Sequence, residues 1–164
     1  MKNLKPLIQK LFDSADGISR VDLDVFGHTL PVKFKHSQHS KQLLVIFHGA
    51  IDRTTRDVPF FPPFFPELGD GIAQISISDP TIMQYGTHGI GWYAGSAEFP
   101  LQKVLIEILG EVFICGNYQR VVFVGSSSGG FASLFYSSFF SGSIAIAGCP
   151  QTNLYRYYSG HLKR

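Results

Sequence analysis

Cysteine is scarce in this chain, and so are several other features that would fix a class at once. With two cysteines, Cys115 and Cys149, in 164 residues, a disulfide framework is excluded and a reduced, cytoplasmic setting is expected. Both stand beside apolar runs and read as small buried hydrophobes. No segment is long and apolar enough to span a bilayer. The start, Met1-Lys2-Asn3-Leu4-Lys5-Pro6, lacks the apolar stretch of a signal peptide. The net charge is only +2, and Lys and Arg form no stripe, so no nucleic-acid partner is expected. Cys, His and Asp show no metal-ligand spacing, so neither a metal nor another cofactor is expected. Beyond Gly130 there is no Asp and no Glu, an absence that bears directly on the chemistry below.

The residues that are present describe one α/β domain over 1–164. Lys5 to Phe12 carries Leu7, Ile8, Leu11 and Phe12 at helical spacing. Val21 to Val25 alternates apolar and polar, Phe26-Gly27-His28-Thr29 reads as a turn, and Leu30 to Phe34 alternates again: a β-hairpin. From Leu43 the pattern changes. Leu43 to Phe47, Gly71 to Ile77, Arg120 to Val124 and Ser143 to Ala147 are nearly continuous apolar runs, as in parallel strands covered on both faces. Helical patterns at Leu101 to Val112 and Gly130 to Phe139 separate the last of them. The fold class expected is therefore α/β, a mostly parallel sheet of about six strands with an N-terminal hairpin at one edge. Two long loops, Ile51 to Asp70 and Thr81 to Pro100, leave strand ends where sites are built.

The stretch Val121-Val122-Phe123-Val124-Gly125-Ser126-Ser127-Ser128-Gly129-Gly130 carries the chemistry. It contains G-x-S-x-G between a strand and a helix, which is the context that motif requires. The chain turns within a few residues, and side chains two positions either side of the central one would strike neighbouring backbone. Gly125 and Gly129 meet that demand. The strain lifts the hydroxyl of Ser127 above the sheet, where the N-terminus of the next helix presents free N–H groups. The N–H of Ser128 can then stabilise an oxyanion. Ser126 and Ser128 are also hydroxyls, but only Ser127 is central between the glycines. Upstream, His48-Gly49-Ala50 follows a buried apolar strand.

These features resemble an α/β-hydrolase over roughly residues 20 to 150. More loosely, His48-Gly49-Ala50, Asp79-Pro80, Trp92-Tyr93, Gly125 to Gly130 and Pro150-Gln151-Thr152 resemble hydrolase-like proteins of bacterial surface-polysaccharide and glycan-modification loci. The resemblance implies that Ser127 is a nucleophile and that Ala50 supplies a second oxyanion N–H. Gly49 would allow the close approach, and His48 would be structural, because the triad histidine of this fold follows the serine. The triad acid and base have no counterpart. His161 is the only histidine after Ser127, and Asn153 the one polar group placed to orient it. The chain therefore reads either as a fragment lacking the last strands or as a degenerate domain.

Three further residues are candidates for substrate contact. Asp79 ends an apolar strand, and Trp92 and Tyr93 could stack on a sugar, although an Asp-Pro turn explains the first more cheaply and core packing is the stronger reading of the other two. Two functions compete. One is a serine esterase or acyltransferase acting on a small-molecule or glycan ester through an acyl-enzyme. The other is a non-catalytic domain that binds or scaffolds in surface-glycan biosynthesis. A phosphate-binding role for Gly125 to Gly130 fits less well: the P-loop lysine is missing, and so is an acid about 20 residues on. The apolar strand at Ile144 is expected to leave an open edge that invites self-association.

Overall fold

The computed structural model describes residues 4–13, 17–84, 86 and 88–156. Helix α1 (Lys5–Phe12) starts with proline in its first turn and buries Ile8 and Leu11. The hairpin follows as β1 (Gly17–Val25) and β2 (His28–His36), longer than the alternation alone indicated because pairing continues from Gly17 to His36. Then come β3 (Gln42–Phe47), β4 (Ile72–Ile77), a short helix α2 (Pro80–Gln84), α3 (Leu101–Cys115), β5 (Arg120–Ser126), α4 (Ser128–Ser137) and β6 (Ile144–Gly148).

The six strands form one sheet in the order β1-β2-β4-β3-β5-β6. β1 with β2 and β2 with β4 are antiparallel; β4 with β3, β3 with β5 and β5 with β6 are parallel. This is the sheet read from the apolar runs, with the hairpin at one edge. Helix α2 was not legible: its five residues lie inside a long loop, too few for a helical period, although Pro80 suits a first helical position. Helix α4 begins two residues earlier than the apolar pattern, because Ser127 itself is the residue preceding its first turn.

Register divides the sheet into two faces. One carries Val32, Phe34, Ala73, Ile75, Ile77, Leu43, Val45, Phe47, Val121 and Phe123, all buried in one core with α1, α3, Ala132 and Tyr136. The Phe47 ring stacks on Tyr136 at 5.4 Å, and Phe123 meets Phe140 at 5.4 Å. The other face runs from Arg20, Lys33 and Lys35 through Gln74 and Ser76 to Leu44, Ile46, Val122, Val124, Ile144 and Ile146. The segment joining β3 to β4 crosses it. That segment has no helix beyond the 3-10 turn Pro66–Leu68 and covers the sheet with proline and phenylalanine. Gln74 exchanges two 2.8 Å hydrogen bonds with the backbone of Phe65, and the Ser76 hydroxyl donates to the Pro62 carbonyl at 3.0 Å. Buried polar side chains inside an apolar strand are thus satisfied by loop backbone.

Both cysteines are exposed, contrary to their apolar sequence surroundings. Cys115 closes α3 at its outer end, and Cys149 leaves the edge strand β6 with φ of 44°. Among the described residues no helix is long and apolar enough to cross a membrane.

Candidate active site

Ser127 joins β5 to α4 with φ 57° and ψ −118°, in a region that residues bearing a Cβ rarely enter. Its flanking glycines are sterically enforced. A Cβ on Gly125 would lie 2.3 Å from the Gly129 carbonyl oxygen, and one on Gly129 would lie 2.5 Å from that of Phe47 and 2.7 Å from that of His48. The Ser127 N–H donates to the Gly148 carbonyl at 2.8 Å, so the end of β6 braces the turn. Ser127 is partly exposed and Ser128 buried.

The turn after β3 abuts the elbow: a Cβ on Gly49 would lie 3.0 Å from the Ser126 carbonyl oxygen and 3.6 Å from Ser127 Cβ. Ala50, next along, is exposed. Among the described residues no acceptor takes the backbone N–H of Ala50 or of Ser128.

Below this turn lies a closed polar network. His48 is buried; its Nε2 accepts the Asp79 N–H at 3.0 Å, which leaves Nδ1 to donate to the Gly49 carbonyl at 2.6 Å. Burial lowers its pKa, so the ring is neutral, with both nitrogens occupied. The His48 N–H donates to the Tyr93 hydroxyl, which donates in turn to the Ile77 carbonyl, both at 2.9 Å. The Tyr136 hydroxyl donates to the Tyr93 carbonyl at 2.8 Å. Desolvation raises the pKa of both tyrosines well above the ordinary value, keeping them protonated as donors.

Asp79 is the clamp of this network. Its carboxylate accepts the Thr81 N–H on Oδ1 and the Tyr93 N–H on Oδ2, each at 2.9 Å. Burial raises its pKa, a shift opposed by those hydrogen bonds and by His48. The bond from the Tyr93 N–H ties Asp79 to a turn in which Trp92 and Tyr93 stand at φ 53° and 55°, conformations that cost about 1–3 kcal/mol each. A Cβ on Gly91 would lie 2.7 Å from Asp79 Oδ2, so the tight turn needs glycine there. Asp79 and Tyr93 are both 1% exposed. Their expected place in substrate contact is corrected accordingly: they form the floor that shapes the turn, with no surface to offer a ligand.

Trp92 leads from that floor to the serine. Its indole N–H donates to Gln151 Oε1 at 2.5 Å, and Gln151 Nε2 donates to Ser127 Oγ at 2.9 Å. The indole fixes the amide so that its NH2 end faces the hydroxyl. Ser127 Oγ therefore accepts from Gln151 and keeps its own proton to donate. Gln151 was missed in the sequence, where Asn153 was favoured. Asn153 is exposed and its carbonyl accepts the Arg156 N–H; among the described residues the bond to Ser127 Oγ comes from Gln151. In the structure Gln151 stands three residues past Gly148, which braces the elbow, and no local sequence pattern marks it. His161 lies outside the described residues. Among the described residues no group of His, Cys, Asp and Glu is arranged to hold a metal ion.

A strand, a strained serine and a helix at the carboxyl end of a parallel sheet, with a Gly turn against them, are the defining parts of the α/β-hydrolase fold. Comparison with known proteins agrees. No family model matches the chain, and no curated protein matches it. Among solved structures, the chain is similar to the capsule O-acetyltransferase of Neisseria meningitidis serogroup A, with a TM-score of 0.59 at 14% identity, covering 87% of this chain and 55% of that one. It is similar to the Glycosylation Associate Protein complex from Streptococcus agalactiae, with a TM-score of 0.56 at 20% identity over 82% of this chain and 24% of that one. A structure described as a predicted CIB-like hydrolase, from Thermoplasma acidophilum, gives 0.51 at 17% identity over 82% and 63%. The chain has an α/β-hydrolase-type fold and spans less than two thirds of the length of each of these structures.

Proposed function

We propose that this chain carries the nucleophile half of a serine acyl-transfer site, acting on an ester as an esterase or acyltransferase through an acyl-enzyme. The observation that carries the reading is the strained Ser127 at the elbow, with φ 57°. Strain of that kind persists only where the surroundings enforce it, and it clusters at reactive groups. In this reading Ser127 Oγ attacks the ester carbonyl, and the N–H groups of Ser128 and Ala50 receive the oxyanion. The alkoxide of the ester then leaves, and water or an acceptor hydroxyl releases the acyl group. The fold likenesses to a capsule O-acetyltransferase and a glycosylation-associated protein support a glycan as reactant, either as the ester or as the hydroxyl that takes up the acyl group.

A base must take the Ser127 proton. Among the described residues Oγ is bonded only to Gln151, a donor that takes no proton, and His48 is buried, neutral and occupied. That observation favours the second reading, a non-catalytic binding or scaffold domain. The exposed apolar strand β6 supports self-association as part of either. The two readings separate in one experiment: labelling of the purified chain by a fluorophosphonate, and hydrolysis of a fluorogenic ester, each with Ser127→Ala as control. We expect Ser127-dependent labelling and a weak rate, since oxyanion donors and binding alone leave some catalysis when a triad is incomplete. Absence of labelling rejects the acyl-transfer reading. Robust turnover abolished by Ser127→Ala shows instead that the chain assembles its own base.

A further inference from the structure

Arg53 lies in the segment that leaves β3, three residues beyond Ala50. Its Nε and Nη1 are buried and have no hydrogen-bond partner among the described residues. A guanidinium is charged at every pH the protein meets and presents only donors. Donors buried without an acceptor are costly, and in a native chain each one calls for an explanation.

The neighbouring acids do not provide it. Asp52 turns its Oδ1 to the N–H and hydroxyl of Thr54, at 2.9 and 2.6 Å. Asp57 is exposed, and the ion pairs among the described residues join other groups. The backbone just before Arg53 is nevertheless pinned. The Ile51 N–H donates to the Gly89 carbonyl at 2.8 Å, and a Cβ on Gly89 would lie 2.1 Å from the Ile51 oxygen and 3.8 Å from Arg53 Cγ. The arginine stem thus passes beside Gly89, in the segment that continues to Trp92, whose indole is linked through Gln151 to Ser127. Three residues span at most about 11 Å, so the Cα atoms of Ala50 and Arg53 lie within that distance.

We propose that Arg53 receives an anionic group, a carboxylate or a phosphate, of the same ligand that meets Ser127. Guanidinium donors match both anions in geometry and charge, and partial desolvation strengthens the interaction. That the ligand is an ester rests on the function proposed above; the anion at Arg53 does not.

The test titrates the whole chain with inorganic phosphate and, separately, with acetate at constant ionic strength, following the Arg53 Nε–H resonance and the melting temperature. A saturable shift is expected with at least one anion, and the anion that gives it identifies the group. Affinity should fall at least tenfold in Arg53→Met and stay within twofold in Arg56→Met, a cation of the same segment. Arg53→Lys, which keeps the charge and loses the planar fork, should lie between them and serves if the methionine variant does not fold. No saturable shift, or equal affinity in wild type and Arg53→Met, overturns the proposal. A last arm ties the site to the serine: the binding anion should slow fluorophosphonate labelling of Ser127 in wild type and not in Arg53→Met. Labelling unaffected by saturating anion separates Arg53 from the Ser127 ligand and overturns the proposal. If Ser127 never labels, the acyl-transfer reading fails, while the titration still decides whether Arg53 binds an anion.

Discussion

The two halves of the sheet's second face are covered differently. Over β4 and the hairpin, the segment 60–65 lies on the sheet, held by Gln74 and Ser76 and by Arg20 and Lys33 against the Phe61 ring. Over β5 and β6 the side chains are apolar, yet Ile144 is 46% and Ile146 55% exposed. On the opposite face Val121 and Phe123 of β5 are buried in the core with α3 and α4, and Ala145 and Ala147 of β6 are half-buried beneath α4. Polar residues in a strand can recruit coil as a cover, because coil has spare backbone donors and acceptors. An apolar face has no such means of holding a loop, and here it stands open. The elbow follows β5 and abuts the end of β3, the strand between the two halves.

The largest effect should come from tightening that junction. Gly129→Ala places a methyl group against the carbonyls of Phe47 and His48, and overpacking against immovable backbone should cost about 3 kcal/mol in urea unfolding. A loss below about 0.5 kcal/mol would show that β3 and α4 meet less closely than the geometry states. Next, on the covered half, Gln74→Leu orphans the N–H and carbonyl of Phe65 and should cost about 1–3 kcal/mol. An unchanged midpoint would mean that the cover is not held through Gln74.

A smaller effect concerns the floor beneath the junction. The pKa of His48 is lowered by burial, so the unfolded chain takes up a proton near 6.5 while the folded chain does so only at lower pH. Stability from this group is present above about pH 6.5 and is lost as pH falls through the folded value. Asp79, with a raised pKa, works in the opposite sense, favouring the fold below its folded value. The difference in unfolding free energy between wild type and His48→Gln should therefore shrink on acidification below about 6.5; a constant difference would show that the ring is not buried neutral. The smallest effect belongs to the open half. Ile146→Lys should change stability by no more than about 0.5 kcal/mol while lowering self-association in sedimentation. A large loss of stability would show that the face is covered after all.

The elbow was legible in the sequence because its demand is steric and local: two glycines four residues apart around Ser127, after an apolar strand. The sheet was legible because parallel strands are apolar runs. The same signal misled at β6, since a run reports that a strand is fit for burial and not that anything covers it; Cys149 failed for that reason, and Cys115 because it lies at the outer end of α3. Asp79 and Tyr93 looked like candidates for a ligand because polar and aromatic groups at strand ends often are. Only the fold shows them turned inward, bonded to backbone far along the chain. Gln151 was hidden because its role depends on Trp92, 59 positions earlier, a pairing that no local pattern records.

Trp92 is the only tryptophan in the sequence, and its indole hydrogen bond runs through one amide to Ser127 Oγ. The protein therefore carries a built-in optical reporter of its own serine. Any group that draws Gln151 off the hydroxyl also alters the polarity around a single emitting ring, so occupancy of the elbow can be followed by intrinsic fluorescence, without a label and without a substrate that turns over.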